Sequence, residues 1–185
     1  MNHLATSKED ILAASRDLIK ENGWAAVSIR AVASRCSVSA GTIYNYYESK
    51  ADLLSDTIES IWHEIFFHPE DEQVFHDVES CISWIYERLE YGNRQFPGFF
   101  SLHSFGFMRD EKTSGKKRMM KTWGHILNGL CEVLGNDPKV RADVFDQEFT
   151  EKKFADILFS LILVSMIRQD YDPSSVLILV KKTLY

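Results

Sequence analysis

The chain is poor in the features that build covalent or membrane scaffolds. Its three cysteines, Cys36, Cys81 and Cys131, are far apart and odd in number, with neither the CxxC pairing of a zinc site nor a disulfide ladder. Reduced thiols in a cytoplasmic protein are the expectation. Four prolines, Pro69, Pro97, Pro138 and Pro173, stand apart as punctuation between helices, because proline breaks helix interiors. The longest apolar run, residues 157–167, falls short of the roughly 18 to 20 residues that cross a bilayer. The opening MNHLATSKEDIL has no basic segment followed by an apolar one, so no secretory signal is expected. A soluble, intracellular chain without a membrane partner follows. Positive charge is also scarce: the formal net charge is −6, which as a bulk number argues against a protein that coats nucleic acid. No GxSxG, P-loop or GxGxxG occurs, and no Ser, Cys or Lys sits in the context of a nucleophile. No enzymatic activity is expected, and no cofactor.

The 185 residues suffice for one large domain or two small packed units. A hydrophobic fraction of 45% and a charged fraction of 26% exclude disordered and collagen-like classes. Strand alternation bounded by hairpin turns is absent, and nearly every segment reads as helix, so the fold class is all-α. The first helix begins at Thr6 or Ser7, with Glu9 or Asp10 closing a capping box. Ile11, Leu12, Ser15, Leu18 and Ile19 form its apolar stripe, and Gly23 stops it. Ser28 caps a short second helix whose Ile29, Val32, Ala33 and Cys36 share one face. Ser37 and Val38 turn the chain, Ser39 caps again, and a third helix carries residues 40–47. A fourth starts at Ser49, with Asp52 as capping partner, and runs to about Ile65.

Two short helices joined by a tight turn and braced by a longer one make a helix-turn-helix, whose second short helix enters the DNA major groove. With Ile43 and Tyr47 turned inward, Thr42, Tyr44, Asn45 and Tyr46 are left mostly outward. Hydroxyls and an amide there suit phosphates and base edges, where a merely solvated helix carries Glu, Lys and Gln. The bland alternative is that the tyrosines pack a small core.

The segment from Thr6 to about Leu54, above all SIRAVASRCSVSAGTIYNYYESKADLL at residues 28–54, resembles the DNA-binding domain of the TetR family of bacterial transcriptional regulators. The family pattern of a Gly-terminated helix, an "A-V-A" helix and "V-S-x-G-T-x-Y-x-Y-F-x-S-K-x-x-L" is matched by Gly23, by Ala31, Val32 and Ala33, and by Val38, Ser39, Gly41, Thr42, Tyr44, Tyr46, Ser49, Lys50 and Leu53. Tyr47 replaces the common phenylalanine, and Ser37 the usual turn glycine. The resemblance implies an N-terminal three-helix helix-turn-helix domain over residues 1–50, followed by a helical ligand-binding and dimerisation domain over residues 51–185. It implies that Ser28, Arg30, Tyr44, Tyr46 and Lys50 hold phosphates, helped by the positive ends of short helices. Ser39, Ala40, Gly41, Thr42 and Asn45 would face bases, and Asn45 could pair bidentately with adenine. The implied function is that of a ligand-responsive repressor binding a palindromic double-stranded DNA operator as a homodimer. An effector would shift the fourth helix and so change the distance between recognition helices.

The remaining two-thirds carries signals for both other partners. A helix over residues 147–170 is apolar on every side, and a last one over residues 174–185 adds five consecutive apolar residues. A helix without a polar face must be buried all round. Pairing with the same helices of a second subunit in a four-helix bundle is expected, with Leu158, Leu161, Ile162, Ser165, Val176 and Leu179 at the interface; a monomer's central core is the alternative. Aromatics are dense over residues 84–107, and Trp84, Tyr91, Phe99, Phe100, His103, Phe107, Met120 and Trp123 are candidates to line a pocket for a small apolar or aromatic effector. They could equally fill a core. His63 and Glu64 resemble the start of HExxH, but Phe67 breaks the spacing, so no metal is expected. Residues 1–50 carry six Lys or Arg against five acids, so the head is +1 and residues 51–185 hold −7. The competing reading is an all-α ligand-binding or protein-interaction module without sequence-specific DNA binding.

Overall fold

A computed structural model describes residues 6–66, 76–100 and 114–185. All regular elements among the described residues are helical: α1 (Lys8–Asn22), α2 (Ile29–Arg35), α3 (Ala40–Tyr44), α4 (Lys50–Phe66), α5 (Val78–Gln95), α6 (Ser114–Asn136), α7 (Glu151–Arg168) and α8 (Ser174–Leu184), with a 3-10 turn at Trp24–Ala26. The chain divides into two compact units. One is Met1–Glu64 with Gln95–Pro97; the other is Ile65–Arg94 with Gly98–Tyr185. The first unit therefore runs past residue 50, because α4 contributes Leu53 and Ile61, both fully buried, to the same core as α1.

In the first unit, Ser7 caps α1: its Oγ accepts from the Asp10 amide at 3.1 Å, and the Ser7 amide donates to Asp10 at 2.8 Å. Ile11, Leu12, Ser15 and Ile19 face inward. The buried Ser15 hydroxyl is satisfied by the Ile11 carbonyl, as a buried polar group must be. Gly23 ends α1 at φ 77°, its amide donating to Ile19. Ile11, Ile19, Val27, Val32, Ile43 and Tyr47 close the core, each apolar side chain contributing about 1.5 to 3 kcal/mol.

The second unit is built on α5 and α7. Cys81, Ile82, Ile85, Tyr86 and Leu89 form the buried stripe of α5. At Gly92 a Cβ would stand 2.6 Å from Ile65 and 2.9 Å from Phe100, so only glycine admits this approach. The α7 helix starts at Glu151, later than its hydrophobicity suggests, because Asp146 holds Phe149 in a turn at 2.6 Å and Thr150 then caps. It buries Phe154, Ala155, Leu158, Ile162 and Met166 within its own chain. Within the single chain this helix is not covered all round: Ile157 (45%), Val164 (44%) and Ile167 (44%) are exposed. On α8, Val176, Val180 and Leu184 point inward while Ile178 and Leu179 do not.

A polar clasp joins three elements of this unit. The Asp137 carboxylate, 6% exposed, accepts from the Val78 amide at the start of α5 and from the Tyr185 hydroxyl after α8. Beside it, Lys139 reaches Asp77 at 2.7 Å. That ammonium first, and the Ser80 amide second, hold the Asp77 carboxyl down to about 2.

Candidate nucleic-acid interface

The helix-turn-helix is built by capping. Ser28 accepts from the Ala31 amide to start α2. The helix closes with paired bonds from Ser37 to Ser34 and from Val38 to Ala33, which require a left-handed residue just past the C-cap. Ser37 takes that conformation at φ 56°. One residue after Val38, the Ser39 hydroxyl accepts from the Thr42 amide and lies 3.0 Å from the Thr42 hydroxyl. The third helix is shorter than its sequence suggests, ending at Tyr44 because the Tyr46 and Tyr47 amides both turn back to Ile43.

Arg30, Ser39, Gly41, Tyr44, Asn45 and Lys50 are exposed, and Ser28, Ala40, Thr42 and Tyr46 are half-buried. Tyr44 is the most exposed large hydrophobic side chain among the described residues, at 56%. Gly41 has ordinary helical backbone, and an added Cβ would meet nothing nearer than the Ser39 hydroxyl at 3.6 Å. Tyr46 stands apart. Its hydroxyl donates to the Thr6 carbonyl at 2.7 Å, so its proton is engaged inside the unit and only acceptor lone pairs face outward. Sequence reading missed this bond across 40 residues, and also the ion pairs that tie α1 to α4: Lys8 with Asp56 at 2.5 Å, and Arg16 and Lys20 with Glu64 at 3.0 and 2.7 Å. No local pattern announces them. They border a groove of about 570 Å³ lined by Leu12, Ser60 and His63 among others.

The described residues singled out for an effector make ring contacts within the second unit. Trp84 packs edge-on to Phe66, Arg88 stacks on Tyr91, and Phe99 meets Phe100, which also faces Tyr171. Phe99 and Phe100 are 1% exposed. Trp123 packs on Phe159 of α7. The Trp123 indole nitrogen and the Tyr171 hydroxyl are buried without a hydrogen-bond partner among the described residues. His103, Phe107 and the Met120 side chain lie outside the described residues.

Of the residues expected at a dimer interface, Leu158, Ile162 and Val176 are buried in their own chain's core. Ser165 bonds to the Tyr86 hydroxyl of its own chain at 2.9 Å. Leu161 is half-buried and Leu179 exposed.

Among the described residues no group of three or more His, Cys, Asp or Glu could hold a metal, and no helix is long and apolar enough to cross a membrane. The thiols are not activated: burial pushes Cys81 up to about 12, and raises Cys36 and Cys131 as well.

Residues 11–57, which span this capped helix-turn-helix, match the family of bacterial regulatory proteins of the TetR type. The helix-turn-helix segment is thus similar to the DNA-binding domain of the TetR family. The chain is 38% identical over 48 residues to the HTH-type transcriptional regulator UidR of Escherichia coli K12, a match spanning 26% of this chain and 24% of UidR. Across nearly the whole length its fold is that of a TetR transcription regulator from Haloarcula marismortui (TM-score 0.66, 18% identity, 96% of this chain and 95% of that one). It is also that of the transcriptional regulator FadR from Bacillus subtilis, solved in complex with stearoyl-CoA (TM-score 0.64, 18% identity, 97% and 100%).

Proposed function

We propose that the chain is a cytoplasmic, non-enzymatic regulator that binds a palindromic operator as a homodimer, acts as a repressor, and is released by a small apolar or aromatic effector. Gly41 is the observation that carries the reading. A glycine in a helix costs up to about 1 kcal/mol relative to alanine, and within the chain neither backbone conformation nor crowding requires one at position 41, in the first turn of α3. A partner that comes close to the backbone does. The neighbouring exposed side chains, Tyr44 and Asn45, say which partner: a phenol and an amide suit a phosphate and a base edge. Arg30 and Lys50 add the charge, with Ser28, Ser39, Ala40 and Thr42 completing the surface. Tyr46 acts by holding the end of the recognition segment against Thr6.

The second copy finds its surface on the other stripe of α7. Ile157, Leu161 and Val164 fall at i, i+4, i+7, and Ile178 and Leu179 of α8 are exposed apolar residues of the same unit. Two copies of such a pair make a four-helix contact with an isologous interface. The buried donors of Trp123 and Tyr171 suit an effector carrying a hydrogen-bond acceptor. An effector coupling of about 1 to 3 kcal/mol changes operator affinity roughly 5- to 150-fold.

Selection from randomised duplexes with the full chain tests the proposal. A palindrome of two half-sites, bound more weakly as salt rises, is expected; enrichment of no palindrome sinks it.

A further inference from the structure

The first unit contains one segment from far along the chain. Gln95–Pro97 clusters with the residues up to Glu64, and Phe96 is fully buried there, with the Lys20 ammonium 4.9 Å from its ring centroid. A cation over an aromatic face is attracted by the ring quadrupole. The same ammonium donates to one oxygen of Glu64 at 2.7 Å, while Arg16 Nε stands 3.0 Å from the other oxygen and the Arg16 guanidinium also donates to Glu9. Glu64 is the last residue of α4 inside this unit, and Phe96 directly follows α5. One lysine on α1 thus holds both the point where the chain leaves the unit and the point where it re-enters.

Its leverage comes from a second clamp. Lys8 pairs with Asp56, eight residues before Glu64 and so about 12 Å from it along α4. A helix fastened at two points cannot swivel about either. Helix α1 carries the helix-turn-helix with it, since α1 packs on α2 and Arg35 of α2 grips Glu21 of α1 through both guanidinium nitrogens. The core of the unit, with Ile11, Ile19, Val32 and Ile43 fully or nearly fully buried, does not depend on Lys20. Removing that cation leaves the head folded, with Lys8 still on Asp56 and Arg16 on Glu64, and loosens the fastening of α1 at Glu64 and Phe96.

We infer that Lys20 is a positioning residue for operator spacing: by fastening α1 to Glu64 and Phe96, it fixes the angle of the recognition helix on α4 and thereby the half-site separation that a dimer accepts. The inference rests on the DNA-binding dimer proposed above. Spacing is a sensitive readout because one base pair moves a half-site by about 3.4 Å and about a tenth of a turn.

The experiment uses the full chain and the selected palindrome with its half-sites at the native spacing and one base pair closer or further, beside a duplex with a single half-site. Lys20→Met is expected to lower discrimination between spacings about tenfold, with affinity for the single half-site unchanged within about twofold. Lys20→Arg, which keeps a cation for both partners, restores discrimination. Phe96→Leu lowers it less, since bulk stays and the ring is lost, and this variant decides the matter if Lys20→Met melts before it can be assayed. Equal weakening at all spacings shows a merely structural lysine and overturns the inference, as does discrimination that survives both substitutions. A wild-type chain with no spacing preference overturns the dimer reading, and the inference with it; a wild-type preference that Lys20→Met leaves intact overturns the inference alone.

Discussion

Two residues of the helix-turn-helix sit where their own chain gains nothing from them, and they are unfavourable for different reasons. Ser37 holds the left-handed conformation at φ 56°, which costs an L-residue about 1 to 2 kcal/mol and glycine nothing. Ser37→Gly is expected to raise stability by about 0.5 to 1 kcal/mol, less than the full strain because glycine also gains freedom in the unfolded chain; a chemical denaturation midpoint checks it. Gly41 is the reverse case, an unstrained helical position with open space around it. Gly41→Ala is expected to stabilise the chain by up to about 1 kcal/mol while weakening binding to the selected palindrome. Loss of stability, or unaltered binding, contradicts the role given to this position. The caps, the turn and the buried pair Ile43 and Tyr47 were all legible in the sequence because each depends on neighbours within four residues. The Tyr46 bond to Thr6 was not, because the hydroxyl's partner is a backbone carbonyl that any residue supplies.

At the scale of elements, the second unit depends on a carboxylate that no motif marks. Asp137 satisfies the first amide of α5 and the Tyr185 hydroxyl, both partly or fully buried. Burial together with that carboxylate pushes the Tyr185 phenol well above its ordinary value. Asp137→Ala leaves two donors unsatisfied and is expected to cost about 2 to 4 kcal/mol, read as a drop in melting temperature. The adjoining Asp77 and Lys139 pair gives a pH dependence with a definite sign. An unfolded aspartate titrates near 3.9, whereas Asp77 in the native chain is held down to about 2. Its stabilisation is therefore complete above about pH 4 and disappears as pH falls toward 2. Asp77→Asn is expected to lower stability above about pH 4 and leave it little changed near pH 2, so that the acid limb of the stability profile flattens in that window. The helices themselves were readable from apolar spacing; their ends were less so. The late start of α7 follows from the Asp146 turn, a side chain's competition for backbone amides that hydrophobicity does not register.

On the scale of the whole molecule, the apolar character of α7 divides into two jobs. One stripe fills its own chain's core, and the other, through Ile157, Leu161 and Val164, faces outward. Val164→Glu, at an exposed position, is expected to shift the chain to monomer in sedimentation or size-exclusion measurements and to abolish binding to the two-half-site duplex. The monomer's melting temperature should move little, since a surface substitution away from caps and cores changes stability by about 0.5 kcal/mol or less. A dimer that persists places the interface elsewhere.

The sequence by itself determined the helical class, the helix-turn-helix with its serine caps, and the likeness of that segment to TetR-type DNA-binding domains, because these depend on short-range spacing and on one well-marked segment. It also located the acidity in residues 51–185, leaving a head of +1. Only the tertiary structure decided which apolar face of α7 is spent inside the chain, that Gln95–Pro97 returns to the first unit, and that α1 is fastened to α4 by ion pairs 44 to 48 residues apart. The physical reason is common to all three. Periodicity states that a face must be covered and charge states that a partner is welcome, but which surface does the covering is settled by packing among elements that the linear order leaves free.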